Sequence, residues 1–295
     1  MHDHRLYLGA LYIVGAELMF ASMGASIRFV SEDLNNPMVV FARNLVGLLA
    51  LLPWLLRDGS AGFVTRVPHL HLLRGLAGVG AMYCFFYAIA HLPLANAMLL
   101  KLSAPLFIPI VALLWLKERF TWHVILALLV GFSGVAVILT PDFENTSSVY
   151  LIALAGGALA AVAKVTVRRL SRSESSKLTV FYFACSGLLI SLLPLAWYWQ
   201  TPTTAQIAWL VLLGLFATAG QLLLTRGMAC APAARLGPFT FFSVIFGAVL
   251  GWLLWDEALT LATSAGALLI LASAFITGRG RSRVPEKAAA QAAVP

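Results

Sequence analysis

The sequence predicts an all-α membrane protein of ten transmembrane helices, arranged as two five-helix repeats of inverted topology. Three observations predict it. Hydrophobic residues fill 61% of the 295 positions and charged residues only 11%, whereas a soluble domain needs roughly 25% to solvate its surface. With a mean hydropathy of +0.90, most of the surface must face lipid. Basic residues gather at alternate connections between the apolar runs, and the chain resembles itself at an offset near 139 residues, an interval that holds five of those runs.

About 20 residues at 1.5 Å each cross a hydrocarbon core of about 30 Å. That measure marks out spans at 7–30, 37–56, 71–91, 94–115, 121–140, 149–168, 177–198, 205–227, 233–255 and 260–278. The first run contains Glu17 and lacks a small-residue cleavage site, so it reads as a retained helix and not a signal peptide. Asn35-Asn36-Pro37, Asp58-Gly59-Ser60 and Leu92-Pro93 separate the first four spans; Pro141-Asp142, Thr201-Pro202, Ala231-Pro232 and Gly278-Arg279-Gly280 punctuate the rest. The connections at 92–93 and 116–120 are short enough to force antiparallel neighbours. Residues 1–143 and 144–279 form the two repeats, and 280–295, rich in Ala, form a disordered cytoplasmic tail.

Charge placement tests this count. With the N-terminus in the cytoplasm, sixteen of the twenty Lys and Arg residues fall on inner segments, from Arg5 through Arg57, Arg66 and Arg74 to Lys287. The outer connections hold none and carry Glu32, Asp33, Asp142, Glu144, Asp256 and Glu257 instead. This segregation follows the positive-inside rule and puts both termini in the cytoplasm of a multi-pass protein of the plasma (bacterial inner) membrane. It also accounts for the isoelectric point near 9.8 without a nucleic-acid partner, because no basic face is interleaved with aromatics. Cys84, Cys185 and Cys230 sit inside apolar runs without CxxC spacing, so they pack as small residues and form neither a disulfide framework nor a metal site.

In the repeat, Ala16 aligns with Ala155, Gly75 with Gly214, Pro93 with Pro232, Glu118 with Glu257 and Thr121 with Thr260. One residue further on, Phe41, Gly47 and Leu48 align with Phe181, Gly187 and Leu188. Five is odd, so the second copy enters the membrane from the opposite face. Two such halves can exchange inward-open and outward-open shapes around a central site, as secondary carriers do.

The segment from Leu94-Ala95-Asn96-Ala97 through Pro105-Leu106-Phe107 to Leu116-Lys117-Glu118-Arg119-Phe120-Thr121 resembles the fourth-helix signature of the EamA family of the drug/metabolite transporter superfamily. Gly237-Pro238-Phe239-Thr240 running to Trp255-Asp256-Glu257-Ala258-Leu259-Thr260 looks like its counterpart, and the resemblance covers roughly 7–278. It implies a ten-helix carrier in which helices one to four of each half line a central cavity and the fifth lies outside. Lys117 and Asp256 depart from the family pattern, which usually has Gly before the Glu.

Topology leaves Arg28, Arg43, Lys101 and Lys164 unexplained, with Glu17 as the acidic residue inside a span. A charge at mid-bilayer costs about 2.5–3.5 kcal/mol and usually faces a cavity or a partner. Arg28 lies within a turn of the outer end and Lys164 four residues from Arg168, so both can snorkel. Arg43 and Lys101 lie about 10 Å inside the outer boundary. Glu17 shares a stripe with Ala21, Gly24 and Arg28. Two roles stay open: an ion pair of Glu17 with Arg43 or Lys101, or a site where a basic group meets a substrate carboxylate and Glu17 meets an amine or a proton. Four cations against one anion favour an anionic or carboxylate-bearing solute. Tyr83 and Tyr87, an i, i+4 pair, line a cavity or pack; Asn44 and Gln221, the latter near the repeat mate of Tyr83, bond across helices or line the same cavity. The candidate substrate-binding set is therefore Glu17, Arg43, Asn44, Tyr83, Tyr87, Lys101, Lys164 and Gln221.

No GxxxxGK[ST], HExxH or GxSxG pattern occurs, so no catalytic residue, cofactor or metal is expected. The expected activity is secondary transport by alternating access, in the export direction, of a small carboxylate-bearing or zwitterionic metabolite such as an amino acid or a related compound. The alternative is an anion-selective channel or facilitator for small organic anions. The expected partners are that metabolite and the lipid bilayer; proton coupling and a homodimer stay open.

Overall fold

The computed structural model describes residues 2–57, 64–116, 122–139, 143–170, 173–174, 176–230 and 237–281. In lipid every backbone polar group must be satisfied within the chain, so long apolar runs fold as helices. They are α1 (His2–Val30), α2 (Asn36–Arg57), α3 (Pro68–His91), α4 (Leu94–Lys101), α5 (Ala104–Leu116), α6 (Trp122–Leu139), α7 (Phe143–Leu170), α8 (Ser176–Tyr198), α9 (Thr204–Cys230), a 3-10 helix (Gly237–Phe241), α10 (Phe242–Trp255) and α11 (Leu261–Arg281). Among the described residues, six helical segments are long and apolar enough to cross a membrane: Tyr7–Val30, Pro68–His91, Leu94–Trp115, Ser148–Val167, Leu178–Tyr198 and Thr204–Leu224. Shorter apolar helices cover Asn36–Ala50, Ile125–Ile138, Phe239–Trp255 and Leu261–Ser273. The outward faces carry Leu49, Leu114, Leu129, Leu189 and Leu253, as a lipid-facing surface requires, and Trp197, Tyr198 and Trp199 are exposed together at the end of α8.

Helix bounds fall within a few residues of the expected spans. α11 runs through Arg281, so the helix continues into what reads as the start of the tail; residues 282–295 lie outside the described residues. So do Glu118 and Pro232, two anchors of the repeat.

The fourth span differs from the continuous helix expected. It breaks after Lys101, where Leu102 N–H bonds Leu99 O at 3.0 Å and Ser103 N–H bonds Leu100 O at 3.0 Å before α5 begins at Ala104. Pro105 causes part of this, since it has no N–H to offer the Lys101 carbonyl one turn back. At the repeat offset the second half changes helix type without a gap: the 3-10 helix gives way to α10 at Phe241-Phe242. The irregularity in each half therefore falls at a corresponding position.

Helices pair across the halves: α1 with α9, α3 with α7, α2 with α8, and α6 with α11. Exchanging the halves maps this pairing onto itself. The α6–α11 pair closes through glycine. A Cβ on Gly134 would sit 2.9 Å from Gly266 O and 2.8 Å from Leu269 Cβ, and one on Gly266 would sit 2.7 Å from Gly134 O. Small residues let two backbones touch in lipid. Gly134→Val should force them apart at a cost of about 1–3 kcal/mol, seen as a lower melting temperature in detergent. An unchanged melting temperature would mean the helices do not meet there.

Candidate functional site

The embedded charges converge. α1 carries small residues where neighbours cross it, so that Gly24 faces Met98 and Leu94 of α4, and Phe20 faces Gly220 of α9. This draws α1 and α4 together and buries Glu17, which is 5% exposed. Lys101 closes α4 at the helix break, with Nζ 4.4 Å from the Phe20 ring centre and 5.5 Å from that of Phe85. α7 approaches the same break through Gly157, where a side chain would meet Ser103 Oγ; that hydroxyl is buried without a partner. Two turns further along α7, Lys164 is exposed although it lies within an apolar span. On α2, Arg43 Nη1 donates to Asn44 Oδ1 at 3.1 Å, Asn44 Nδ2 donates to Val40 O at 3.0 Å, and the Asn44 amide packs on Gly187 of α8.

These groups sense one another. The charges of Lys101 and Lys164 both act on Glu17, and Lys164 also feels Arg74. Arg74 in turn feels Arg43. Glu17, Arg43, Lys101 and Lys164 thus belong to one electrostatic cluster, with Arg74 as a fifth member. No ion pair within 4.0 Å joins any of them among the described residues. The permanent pair of Glu17 with Arg43 or Lys101 is therefore not formed here. Lys101 and Lys164 thus act on the one anion, and Arg74 and Arg43 extend the positive charge beyond them.

Arg74 is the residue that sequence reasoning assigned to topology. It stands at the start of the third span, where a basic residue reads as a cytoplasmic anchor. Its guanidinium instead lies 3.8 Å over the Phe183 ring, and its Nε and Nη1 are buried without hydrogen-bond partners. The only signal in the sequence was Gly78 one turn on, which gives the guanidinium room along α3.

Tyr83, Tyr87 and Gln221 are the remaining candidates. Tyr83 lies toward the far end of α3, where Asn36 Nδ2 donates to its carbonyl at 2.9 Å; its hydroxyl is buried without a partner. Tyr87 lies tilted against His91, with ring centres 4.1 Å apart. Gln221 is exposed on α9, next to the Gly220 that receives Phe20.

Arg28 does not snorkel to the surface. It pairs with Glu257, 229 residues away, and lies 4.7 Å over the Trp255 ring. The other Glu257 oxygen accepts the Leu94 N–H at 2.8 Å, capping α4. Phe29 stacks on Trp209 at 4.9 Å and lies tilted against Trp255 at 4.7 Å. One carboxylate thus ties the end of α1 and the start of α4 to the end of α10, closing this end of the molecule. At the other end of the spans, Arg169 lies 5.5 Å over the Trp115 ring. Asp256 turns the chain so that Glu257 faces back, with φ of 55° and ψ of 33°, the one positive φ outside glycine among the described residues. A left-handed residue favours Gly, which explains the family preference that Asp256 breaks. Asp256→Gly should stabilise the protein by about 0.5–1 kcal/mol, read as a rise in melting temperature; a fall would show that the Asp side chain matters more than its backbone.

Comparison with known proteins agrees with this architecture. The model of the family described as "EamA-like transporter family" matches residues 7–140 and 147–279. The pseudopaline exporter CntI of Pseudomonas aeruginosa is 32% identical over 274 residues, covering 92% of this chain and 96% of the relative. An S-adenosylmethionine uptake transporter of Rickettsia bellii is 26% identical over 250 residues, covering 84% of this chain and 86% of the relative. A solved crystal structure shares the fold, with a TM-score of 0.57 at 19% identity over 96% of this chain and 99% of the other.

Proposed function

Because the chain belongs to the EamA-like transporter family and moves small metabolites across a membrane without transforming them, we propose that it is an alternating-access secondary carrier exporting a carboxylate-bearing or zwitterionic metabolite. The observation that carries this reading is the set of charges embedded in the spans without an ion pair among them: buried Glu17, Arg43 on Asn44, Arg74 over Phe183, Lys101 over Phe20 at the helix break, and Lys164. Its net positive charge attracts a carboxylate, and its one carboxylate receives an amine. Lys101 sits at the interruption of α4–α5, and broken helices at matching positions of two halves are where carriers hold their solutes.

Ten spans in two inverted repeats, 1–143 and 144–279, give the carrier its two alternating shapes. The positive-inside distribution puts both termini in the cytoplasm, and with them the Arg74 end of the chamber, while Glu257 faces outside. The shape described is then closed outward by the Arg28–Glu257 pair. Export is supported by the exporter named above, the more similar of the two relatives.

Flux through liposomes reconstituted with the purified protein tests the reading. Saturable uptake and counterflow of amino acids or related acids are expected. Unitary conductance steps for chloride or small organic anions would replace the carrier with a channel, and a preference for organic cations would remove the carboxylate reading.

A further inference from the structure

α10 and α11 are joined by residues 256–260 yet scarcely touch, because α10 packs on α1 and α4 while α11 packs on α6. Between them runs a groove of about 220 Å³, lined by Val244, Ile245 and Val249 of α10, by Ala267 of α11 and by Leu259 at its rim. Ile245, Val249 and Leu259 are exposed, so in a membrane the groove opens to lipid. Val244 lies about 16 Å along α10 from Trp255, close to the half of a core of about 30 Å that one leaflet fills. Spread over that depth, the volume leaves a cross-section on the order of 15 Å². A helix about 10 Å across does not enter it; a single methylene chain does. Toward Glu257 the groove shares Ala248, Leu259 and Thr263 with a cavity of about 30 Å³ bounded by Asn96, Glu257 and Thr260, room for about two oxygen-sized atoms.

That cavity holds an unused donor. Asn96, 7% exposed, accepts at Oδ1 from Thr263 Oγ1 at 2.8 Å and donates from Nδ2 to the Tyr150 hydroxyl at 3.3 Å. An amide nitrogen carries two hydrogens, so one N–H is without an acceptor among the described residues. Beyond the rim stands Asp256, exposed and outside any ion pair among the described residues, whereas Glu257 is neutralised by Arg28. In order along the membrane normal, the protein thus presents an apolar slot, a neutral donor and a free anion. We propose that the groove binds one phospholipid with an ethanolamine headgroup from the leaflet at the Glu257 end. One acyl chain lies between α10 and α11, its ester carbonyl accepts the Asn96 N–H, and the headgroup ammonium meets Asp256. Phosphatidylglycerol offers the same chain and ester, but brings a net negative charge to Asp256 in place of a cation. The site is distinct from the embedded charges and stands or falls apart from the carrier reading.

Native mass spectrometry of the purified full-length protein, given equal amounts of dioleoyl phosphatidylethanolamine and dioleoyl phosphatidylglycerol, tests the proposal. One phosphatidylethanolamine per chain is expected, retained at least about fivefold over phosphatidylglycerol. Ala267→Leu fills the groove and should lower that retention at least about fivefold. Ser264→Phe, at the exposed rim of the same groove, should do so if Ala267→Leu does not fold. Asp256→Asn should keep one lipid bound but equalise the two, since Asn accepts the left-handed backbone there. Equal retention of both lipids by the wild type overturns the proposal, as does undiminished phosphatidylethanolamine in a folded groove-filling variant or an undiminished preference in Asp256→Asn. A lipid-free dimer that Ala267→Leu dissociates would assign the groove to a second copy of the chain and overturn it equally.

Discussion

Lys101→Met is expected to weaken solute binding by about a hundredfold while leaving the fold intact. Methionine matches the stem as far as Cε and can pack its methyl toward Phe20 and Phe85, while the ammonium that lies over those rings is lost. Losing one charged partner of a desolvated carboxylate costs about 3 kcal/mol, and each 1.4 kcal/mol is a factor of ten. The melting temperature separates a binding role from a structural one. Had Lys101 been the fixed partner of Glu17, removing it would strand a buried carboxylate at a cost of about 3–5 kcal/mol. In the structure Lys101 makes no ion pair within 4.0 Å, and it adds to the repulsion around Lys164. Thermal unfolding in detergent should therefore stay within about 2 °C of wild type. A large drop in melting temperature with unchanged affinity would return Lys101 to a structural role.

Much of the architecture was legible because lipid imposes simple rules. An apolar run bounded by Asn, Pro or Gly has little choice but to be a helix, so the second span, expected over 37–56, forms as Asn36–Arg57. Glu17, Arg43, Lys101 and Lys164 stood out for the same reason, since charge inside such a run is costly and needs a cause. What stayed hidden depended on partners distant in sequence. The break after Lys101 leaves the apolar pattern of Leu94–Trp115 uninterrupted, and Pro109 sits inside α5 without ending it, so Pro105 alone was no signal. Arg74 occupies a position where topology predicts a basic residue, which masked its place beside Phe183. Arg28 met the snorkelling rule equally well, and only the folded chain brings Glu257 across to it.

That Arg28–Glu257 pair gives the second prediction: Glu257→Gln should shift the carrier toward the shape open at the Glu257 end by about thirtyfold. Glutamine keeps the size of the side chain and can still accept the Leu94 N–H, but it leaves the Arg28 guanidinium without its counter-charge. The two side chains are 23% and 15% exposed, so breaking the pair costs more than at the surface, about 2 kcal/mol. That cost falls on the closed shape alone, because once the halves part both groups meet water. A ligand-free two-state equilibrium moves by the whole differential. Hydrogen exchange over Leu94–Leu100 should quicken, since these residues lose the cover of α10 when that end opens. Affinity for solute offered from the Glu257 side should rise while maximal flux falls, because a carrier that favours one shape returns slowly through the other. Arg28→Glu combined with Glu257→Arg should restore both if the attraction between the halves is what closes that end. Unchanged exchange in α4, or a uniform acceleration across all helices, would make the pair an ordinary stabilising contact and leave the closure of this end to the contacts of Phe29 with Trp209 and Trp255.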